Sequence, residues 1–146
     1  MAWNLATLDW QDRIRTGRSL IPDNLPLNEA AAHRAVTIFD KLRLPDVPNK
    51  PLLLDAAGPW FREIVAAVHG SIDTQTGERM IRELFLLTPK KSSKTSYGAA
   101  LMLTNLLVSA RPLGEYLLVA PSHAIAELAF NQIEGMIAAD PVWPKN

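Results

Sequence analysis

Two apolar segments joined by a short lysine-rich loop constrain the fold of this chain more than any other feature. Residues 84–87 (Leu-Phe-Leu-Leu) have the length of a buried strand, and residues 99–107 are apolar on almost every side, as in a buried helix. The residues between them carry three lysines. Residues 82–96 therefore predict a strand, a loop and the start of a helix, in the order found in phosphate-binding loops.

A helix that follows such a loop can bind phosphate at its first turn. Its first backbone N–H groups have no partner inside the helix, and the helix dipole places partial positive charge there. In the Walker pattern Gly-x4-Gly-Lys-[Ser/Thr], the lysine contacts the β- and γ-phosphates and the hydroxyl coordinates magnesium. Those roles fall to Lys94 and Thr95, whereas Thr88 and Ser93 occupy the glycine positions, so the general pattern is not matched.

The same residues also allow a simpler interpretation. Lys90, Lys91 and Lys94 would then form a solvated turn between a buried strand and a buried helix. Lys-Thr pairs are common and this loop contains no glycine, so the Lys94-Thr95 pair alone favours the simpler interpretation.

The complete loop, however, resembles a loop of one protein family. Thr-Pro-Lys-Lys-Ser-Ser-Lys-Thr is similar to the variant phosphate-binding loop of tailed-phage terminase large subunits, the motors that package viral DNA. The resemblance implies that Lys94 and Lys90 are catalytic and that Thr95 holds magnesium through its hydroxyl. The phosphate-binding residues that it implies are Pro89, Lys90, Lys91, Ser92, Ser93, Lys94 and Thr95.

Segments on both sides of the loop extend the resemblance over nearly the whole chain. Residues 9–14 and 26–28 are similar to the leader of one terminase subgroup. Residues 58–65 are similar to the family segment on the adenine side of the nucleotide, which implies that role for Trp60, Phe61 and Arg62. Residues 116–130 are similar to the strand, turn and helix that follow the loop in the family.

The resemblance implies an α/β fold class, a partial P-loop NTPase fold with parallel strands and flanking helices, preceded by a helical leader. Residues 1–50 would be the leader and a proline-rich connector, and residues 51–146 the N-terminal part of the ATPase domain. The family has a nuclease domain after its ATPase domain. A chain of 146 residues is therefore interpreted as a fragment.

Apolar residues at steps of three and four predict the helices. Asn28 is a good N-cap for one of them, and Ser122 can cap the last. The predicted helices cover residues 5–16, 29–42, 55–69, 94–109 and 123–140, and the predicted strands cover residues 84–87 and 115–120.

The composition excludes several classes of binding site and predicts where the protein is located. Fifteen basic residues balance fifteen acidic ones, so no overall charge attracts the chain to DNA or to an anionic membrane. The absence of cysteine excludes disulfides and thiolate metal sites, and the three histidines are too scattered to predict a metal cluster. No signal peptide is evident, and no apolar segment reaches the roughly 20 residues of a membrane span. These features predict a cytoplasmic protein, and the resemblance implies the cytoplasm of a bacterial host cell.

Hydrolysis of ATP in this type of fold needs a pair of acids at the end of a later strand. The acids after the loop are Glu115, Glu127, Glu134 and Asp140, and none of them ends an apolar strand. The Walker B carboxylates are therefore missing from the sequence, and we do not expect efficient ATP hydrolysis by this chain alone.

The sequence thus predicts the ATP-binding part of a terminase large subunit, with ATP and Mg²⁺ as ligands. The resemblance implies double-stranded DNA, the terminase small subunit and the capsid portal as partners of the full-length protein. Open strand edges predict self-association of the fragment. Two alternatives stay open: a fragment of a helicase-like P-loop ATPase, and a non-catalytic prophage remnant that acts as an interaction module.

Overall fold

The computed structural model describes residues 7–109 and 113–141. The regular secondary structure in these ranges consists of helices: α1 (Trp10–Thr16), α2 (Glu29–Lys41), α3 (Leu53–Ala56), α4 (Pro59–Gly70), α5 (Lys94–Val108) and α6 (His123–Ala139). Two isolated antiparallel bridges join Arg43 to Leu52 and Ile72 to Arg79. None of the described helices is both long and apolar enough to span a membrane.

The predicted α/β fold class is wrong. The described residues are helical and contain no sheet, so they do not form a P-loop NTPase fold with parallel strands. Residues 84–87 and 115–120, which were the two predicted strands, pair neither with each other nor with another described segment. Their N–H groups donate to no backbone carbonyl in the described part of the chain.

The physical reason is that helices cover one side of each predicted strand and leave the other open. Leu86 packs against the core, whereas its neighbours Phe85 and Leu87 are 90% and 85% exposed. Parallel strands are stable when neighbouring strands satisfy their backbone and helices cover both faces. The described residues supply neither condition.

The helix predictions are largely confirmed. The side chain of Asn28 caps α2 by accepting a hydrogen bond from the Ala31 N–H at 3.0 Å. Helices α5 and α6 lie within a residue or so of the predicted bounds, although Ser122 makes no side-chain cap bond. The predicted helix at 5–16 begins at Trp10, and its residues 5 and 6 lie outside the described residues.

The helix predicted over residues 55–69 is divided into α3 and α4. The break falls at Gly58, the N-cap of α4, and Pro59 is the first residue of that helix. Proline favours the first helical position because its missing N–H would have no partner there, and it disfavours helical backbone at the preceding residue.

An aromatic cluster joins α2, α4 and α5. The ring of Phe61 on α4 lies 5.6 Å from Phe39 on α2 and 5.1 Å from Tyr97 on α5, measured between ring centroids. Trp60 lies 5.3 Å from Phe61 and 6.1 Å from Tyr97. The Tyr97 hydroxyl also donates a hydrogen bond to the carbonyl oxygen of Ala56 at 3.2 Å. The first turn of α5 is therefore fixed against α3 and α4.

Arg62 makes a second connection between α2, α3 and α4. Its Nε atom lies 2.6 Å from Oδ1 of Asp40 on α2, and both side chains are largely buried. It also donates to the carbonyl oxygens of Leu53 and Leu54 on α3. The core therefore includes residues on both sides of the boundary that was predicted at residue 50.

Arg13 folds the N-terminal arm, residues 7–23, back on itself. Its guanidinium donates to the carboxylates of Asp9 and Asp23 at 2.9 Å and to the carbonyl oxygens of Ser19 and Ile21. The hydrogen bond from Arg13 lowers the pKa of Asp9 below its ordinary value of 3.8. The stabilisation from this pair is therefore present above that value and is lost as pH falls through the lowered pKa.

His69 is a buried histidine near the end of α4. Its ring Nδ1 lies 2.9 Å from the carbonyl oxygen of Val65, and its Nε2 has no hydrogen-bond partner in the described residues. Burial lowers the pKa of His69 below 6.5, and the nearby Arg79 guanidinium lowers it further. At neutral pH the folded protein therefore holds this ring mostly in its neutral form.

The first prediction tests the aromatic cluster. Phe61→Ala removes a fully buried ring and leaves a cavity, so we expect the free energy of unfolding to fall by about 3–5 kcal/mol. Phe85→Ala is the matched control, because Phe85 is 90% exposed and its truncation should change stability by less than about 0.5 kcal/mol. Urea unfolding followed by circular dichroism measures both. Equal losses in the two variants would contradict the described core.

The second prediction concerns pH. Because the pKa of His69 is lower in the folded protein, the unfolded chain takes up the proton first as pH falls. The contribution of neutral His69 to the free energy of unfolding is fully present above about pH 6.5. It is lost as pH falls through the lowered pKa. We expect thermal unfolding scans to show a Tm that falls as the pH drops below about 6.5, and a smaller fall in His69→Gln. The exposed His33, changed to Gln, should leave the wild-type pH dependence intact.

Candidate functional site

The lysine-rich loop has a defined backbone conformation. Lys91 and Ser93 lie in the left-handed region, with φ of 65° and 57°, which non-glycine residues seldom adopt. The Ser92 hydroxyl lies 2.8 Å from the carbonyl oxygen of Pro89 and 2.9 Å from the Thr88 hydroxyl, so the loop is closed by its own polar groups. Ser93 occupies the second glycine position of the Walker pattern and takes the kind of backbone conformation that glycine adopts most easily.

The first turn of α5 presents unpaired donors and positive charge. The N–H groups of Lys94, Thr95 and Ser96 have no acceptor in the described residues, and Ser93 makes no side-chain cap. Lys94, together with Lys90 and Lys91 in the loop, is exposed and forms no ion pair in the described part of the chain. This arrangement attracts an anion at the helix start.

A cleft of about 690 Å³ adjoins the loop. One wall is the N-terminal arm, the second is the first half of α4, and the third is the segment that leads into the loop. Its lining residues are Ile14, Gly17, Arg18, Ser19, Leu20, Ile21, Pro59, Trp60, Glu63, Ile64, Leu86, Leu87, Thr88, Pro89 and Ser92.

The cleft brings together residues from two of the predicted groups. Trp60, predicted on the adenine side, and Pro89 and Ser92, predicted on the phosphate side, line the same cleft. Trp60 is 39% exposed and its ring rests edge-on against Phe61. The structure thus places an indole and the loop around one space.

The other predicted residues lie elsewhere. Phe61 is fully buried in the core, and Arg62 is paired with Asp40. A second set of predicted residues is exposed but does not line the cleft: Lys90, Lys91, Ser93, Lys94 and Thr95.

Sequence reasoning missed three polar residues of the cleft. Arg18 and Ser19 come from the N-terminal arm, and Glu63 lies one turn after Trp60 on α4. The Ser19 hydroxyl donates to Oε2 of Glu63 at 2.5 Å, which joins the arm to the helix. The spacing of Trp60 and Glu63, three residues apart on one helix, is a signal that they share a face. No local signal in the sequence indicates that the arm reaches α4.

Gly58 leaves room for the indole of Trp60. A Cβ atom added at Gly58 would lie 2.5 Å from Nε1 of Trp60, which is too close for any side chain. The ring position in the cleft therefore depends on the absence of a side chain at this N-cap.

A larger cavity of about 1350 Å³ lies on a different part of the structure, between residues 72–82, the end of α5 and residues 113–116. Two of its arginines already have partners, since Arg79 donates to Asn105 and Arg82 pairs with Glu78. It contains none of the predicted site residues, so the smaller cleft is the better candidate for the predicted chemistry.

Comparison with known proteins adds nothing to the description of the site. Scans against protein-family models, curated proteins and solved structures found no match for this chain. The described residues contain no group of three or more His, Cys, Asp or Glu side chains that could hold a metal ion. Magnesium keeps several waters and binds proteins through few ligands when phosphate oxygens supply the others. The exposed Thr95 hydroxyl fits such a minor role.

The third prediction tests the loop conformation. Ser93→Gly should raise the free energy of unfolding by about 0.5–1 kcal/mol, because glycine adopts the left-handed conformation without the steric cost that serine carries. Ser92→Gly is the control: Ser92 lies outside the left-handed region and its hydroxyl is bonded, so this change should destabilise the protein. Chemical unfolding separates the two, and the same sign for both would contradict the loop geometry.

Proposed function

We propose that this chain binds Mg²⁺-ATP at the start of α5, as the ATP-binding part of a DNA-packaging motor of the tailed-phage terminase large subunit type. The supporting observation is the cleft in which Trp60 faces the same space as Pro89 and Ser92 of the loop. Its volume lies within the range of about 300–1,000 Å³ that is typical of small-molecule sites.

The start of α5 supports the phosphate half of the proposal. Backbone N–H groups and three lysines that have no partner in the described ranges give a local positive potential, although the formal net charge of the chain is zero. Lys94 follows the left-handed Ser93 directly, so its ammonium can reach an anion bound at the helix start. Lys90 supplies a second cation from the far side of the loop.

Trp60 supports the nucleoside half. A half-exposed indole that is held by an aromatic cluster offers a rigid face on which a base can stack, and stacking tolerates any base. Arg18 and Glu63 add one cation and one hydrogen-bond acceptor to the same cleft.

Binding without efficient hydrolysis is the expected activity. Among the acids after the loop, Glu127 and Glu134 lie on α6, and Glu115 is the first residue of a segment that forms no strand. Glu63 is the carboxylate in the cleft, and it accepts a hydrogen bond from Ser19. The proposed setting is the cytoplasm of a bacterial host, and the proposed partners of the whole motor are double-stranded DNA, the terminase small subunit and the capsid portal.

The fourth prediction tests nucleotide binding. Titration with Mg²⁺-ATP should change the fluorescence of Trp60 and raise the Tm of the protein, because a ligand that binds the folded state stabilises it. Lys94→Ala should abolish both effects. Lys41→Ala, which removes an exposed lysine from the end of α2, is the control and should leave them unchanged.

Two further measurements make the test specific. Trp60→Phe should remove the fluorescence change while the Tm shift remains, which would assign the signal to the cleft. Wild-type protein that shows neither a fluorescence change nor a Tm shift at millimolar Mg²⁺-ATP would refute the proposal.

One observation favours a second candidate function, an interaction module without nucleotide chemistry. Four apolar side chains of the predicted strands are more than 80% exposed: Phe85, Leu87, Leu117 and Val119. Exposed apolar surface of this kind marks protein interaction sites.

A further inference from the structure

Residues 115–120 have the exposure pattern of a strand. Glu115, Leu117 and Val119 are exposed, and the three residues that alternate with them are partly buried. Leu118 lines an apolar groove of about 260 Å³ together with Leu106 of α5 and Phe130 of α6. A period of two is the pattern of a strand with one face on a core and one face open.

The backbone of this segment has no hydrogen-bond partner among residues 7–109 and 113–141. The N–H groups of residues 115–120 donate to no acceptor in the described part of the chain. The segment contains no proline, and its single charge is Glu115 at one end. Short apolar segments with few charges, no proline and free backbone groups pair readily with another chain.

The segment is also complementary to a second copy of itself. In an antiparallel pair with Leu117 on the two-fold axis, Glu115 of each copy lies opposite Val119 of the other. The two carboxylates then sit at opposite ends, so no like charges face each other. In the register with Leu118 on the axis, Leu117 of one copy faces Val119 of the other. In both registers an exposed residue of one copy lies opposite an exposed residue of the other, because odd-numbered residues pair with odd-numbered residues.

We propose that residues 115–120 pair antiparallel with the same residues of a second copy, which gives a symmetric dimer with one continuous two-stranded edge. The pair gives alternate N–H groups of each copy an acceptor in the other copy, as a two-fold interface allows. It also places Leu118 of the second copy beside the groove that Leu106 and Phe130 line. Nucleotide binding is not required for this pairing.

The other unpaired segment is less suited to the same role. A proline ends both segments, since Pro89 follows residues 84–87 and Pro121 follows residues 115–120, so charge decides between them. In the antiparallel register centred on Leu86, Arg82 of one copy faces Lys90 of the other, which is unfavourable. Leu86 and Leu87 also line the candidate nucleotide cleft.

Light scattering coupled to size exclusion tests the dimer. We expect wild-type protein to have the mass of two chains and to dissociate on dilution. Leu117 and Val119 are each 82% exposed, so the double variant Leu117→Lys/Val119→Lys should fold normally as a monomer. Its lysines would face each other across the strand pair, so the dimer should be lost. Leu8→Lys, at a leucine that is 85% exposed, is the control and should remain dimeric.

Hydrogen exchange distinguishes strand pairing from other contacts. In the wild-type dimer, alternate amides within residues 115–120 should exchange more slowly than in the double variant, because pairing gives those donors an acceptor. A wild-type chain that is monomeric at every concentration, a double variant that stays dimeric, or a dimer without slower exchange in residues 115–120 would each overturn the proposal.

Discussion

The packing of Phe61 against Phe39 and Tyr97 is the interaction on which the rest of the structure depends. It joins three helices that are distant in sequence, and it fixes the first turn of α5 relative to α4. Because Trp60 is the neighbour of Phe61 and also contacts Tyr97, the same cluster sets the position of the indole beside the loop. The core and the candidate site therefore share their central residues.

The two exposed apolar segments show how far helices alone can stabilise a chain of this kind. Leu86 and Leu118 are each held on one side by helices, and their neighbours in sequence face solvent. A strand needs backbone partners as well as an apolar face. The sequence of a segment indicates whether it has an apolar face, but not whether another strand is available to pair with it. This explains why the two segments were predicted as strands and form none in the described residues.

Local patterns predicted what local interactions determine. The cap at Asn28, the apolar periods of α2 and α6 and the apolar residues on almost every side of α5 were sufficient to place those helices. Each of these signals depends on residues within one or two turns. The cleft was harder to predict. Ser19 and Glu63 are separated by 44 positions, and nothing in either segment encodes that contact. The proximity of Trp60 to the loop was implied by a family resemblance and not by spacing.

Helix α6 is attached to the structure differently from the other long helices. Among the described helices it packs on α5 alone, and Met136 is its one fully buried residue in that part of the chain. Helices α2 and α4, by contrast, pack closely on each other. An element with so little buried surface opens at a lower free energy than the core does. We therefore expect α6 to open more readily than α2 and α4, and its opening would uncover the core cluster to which Met136 belongs.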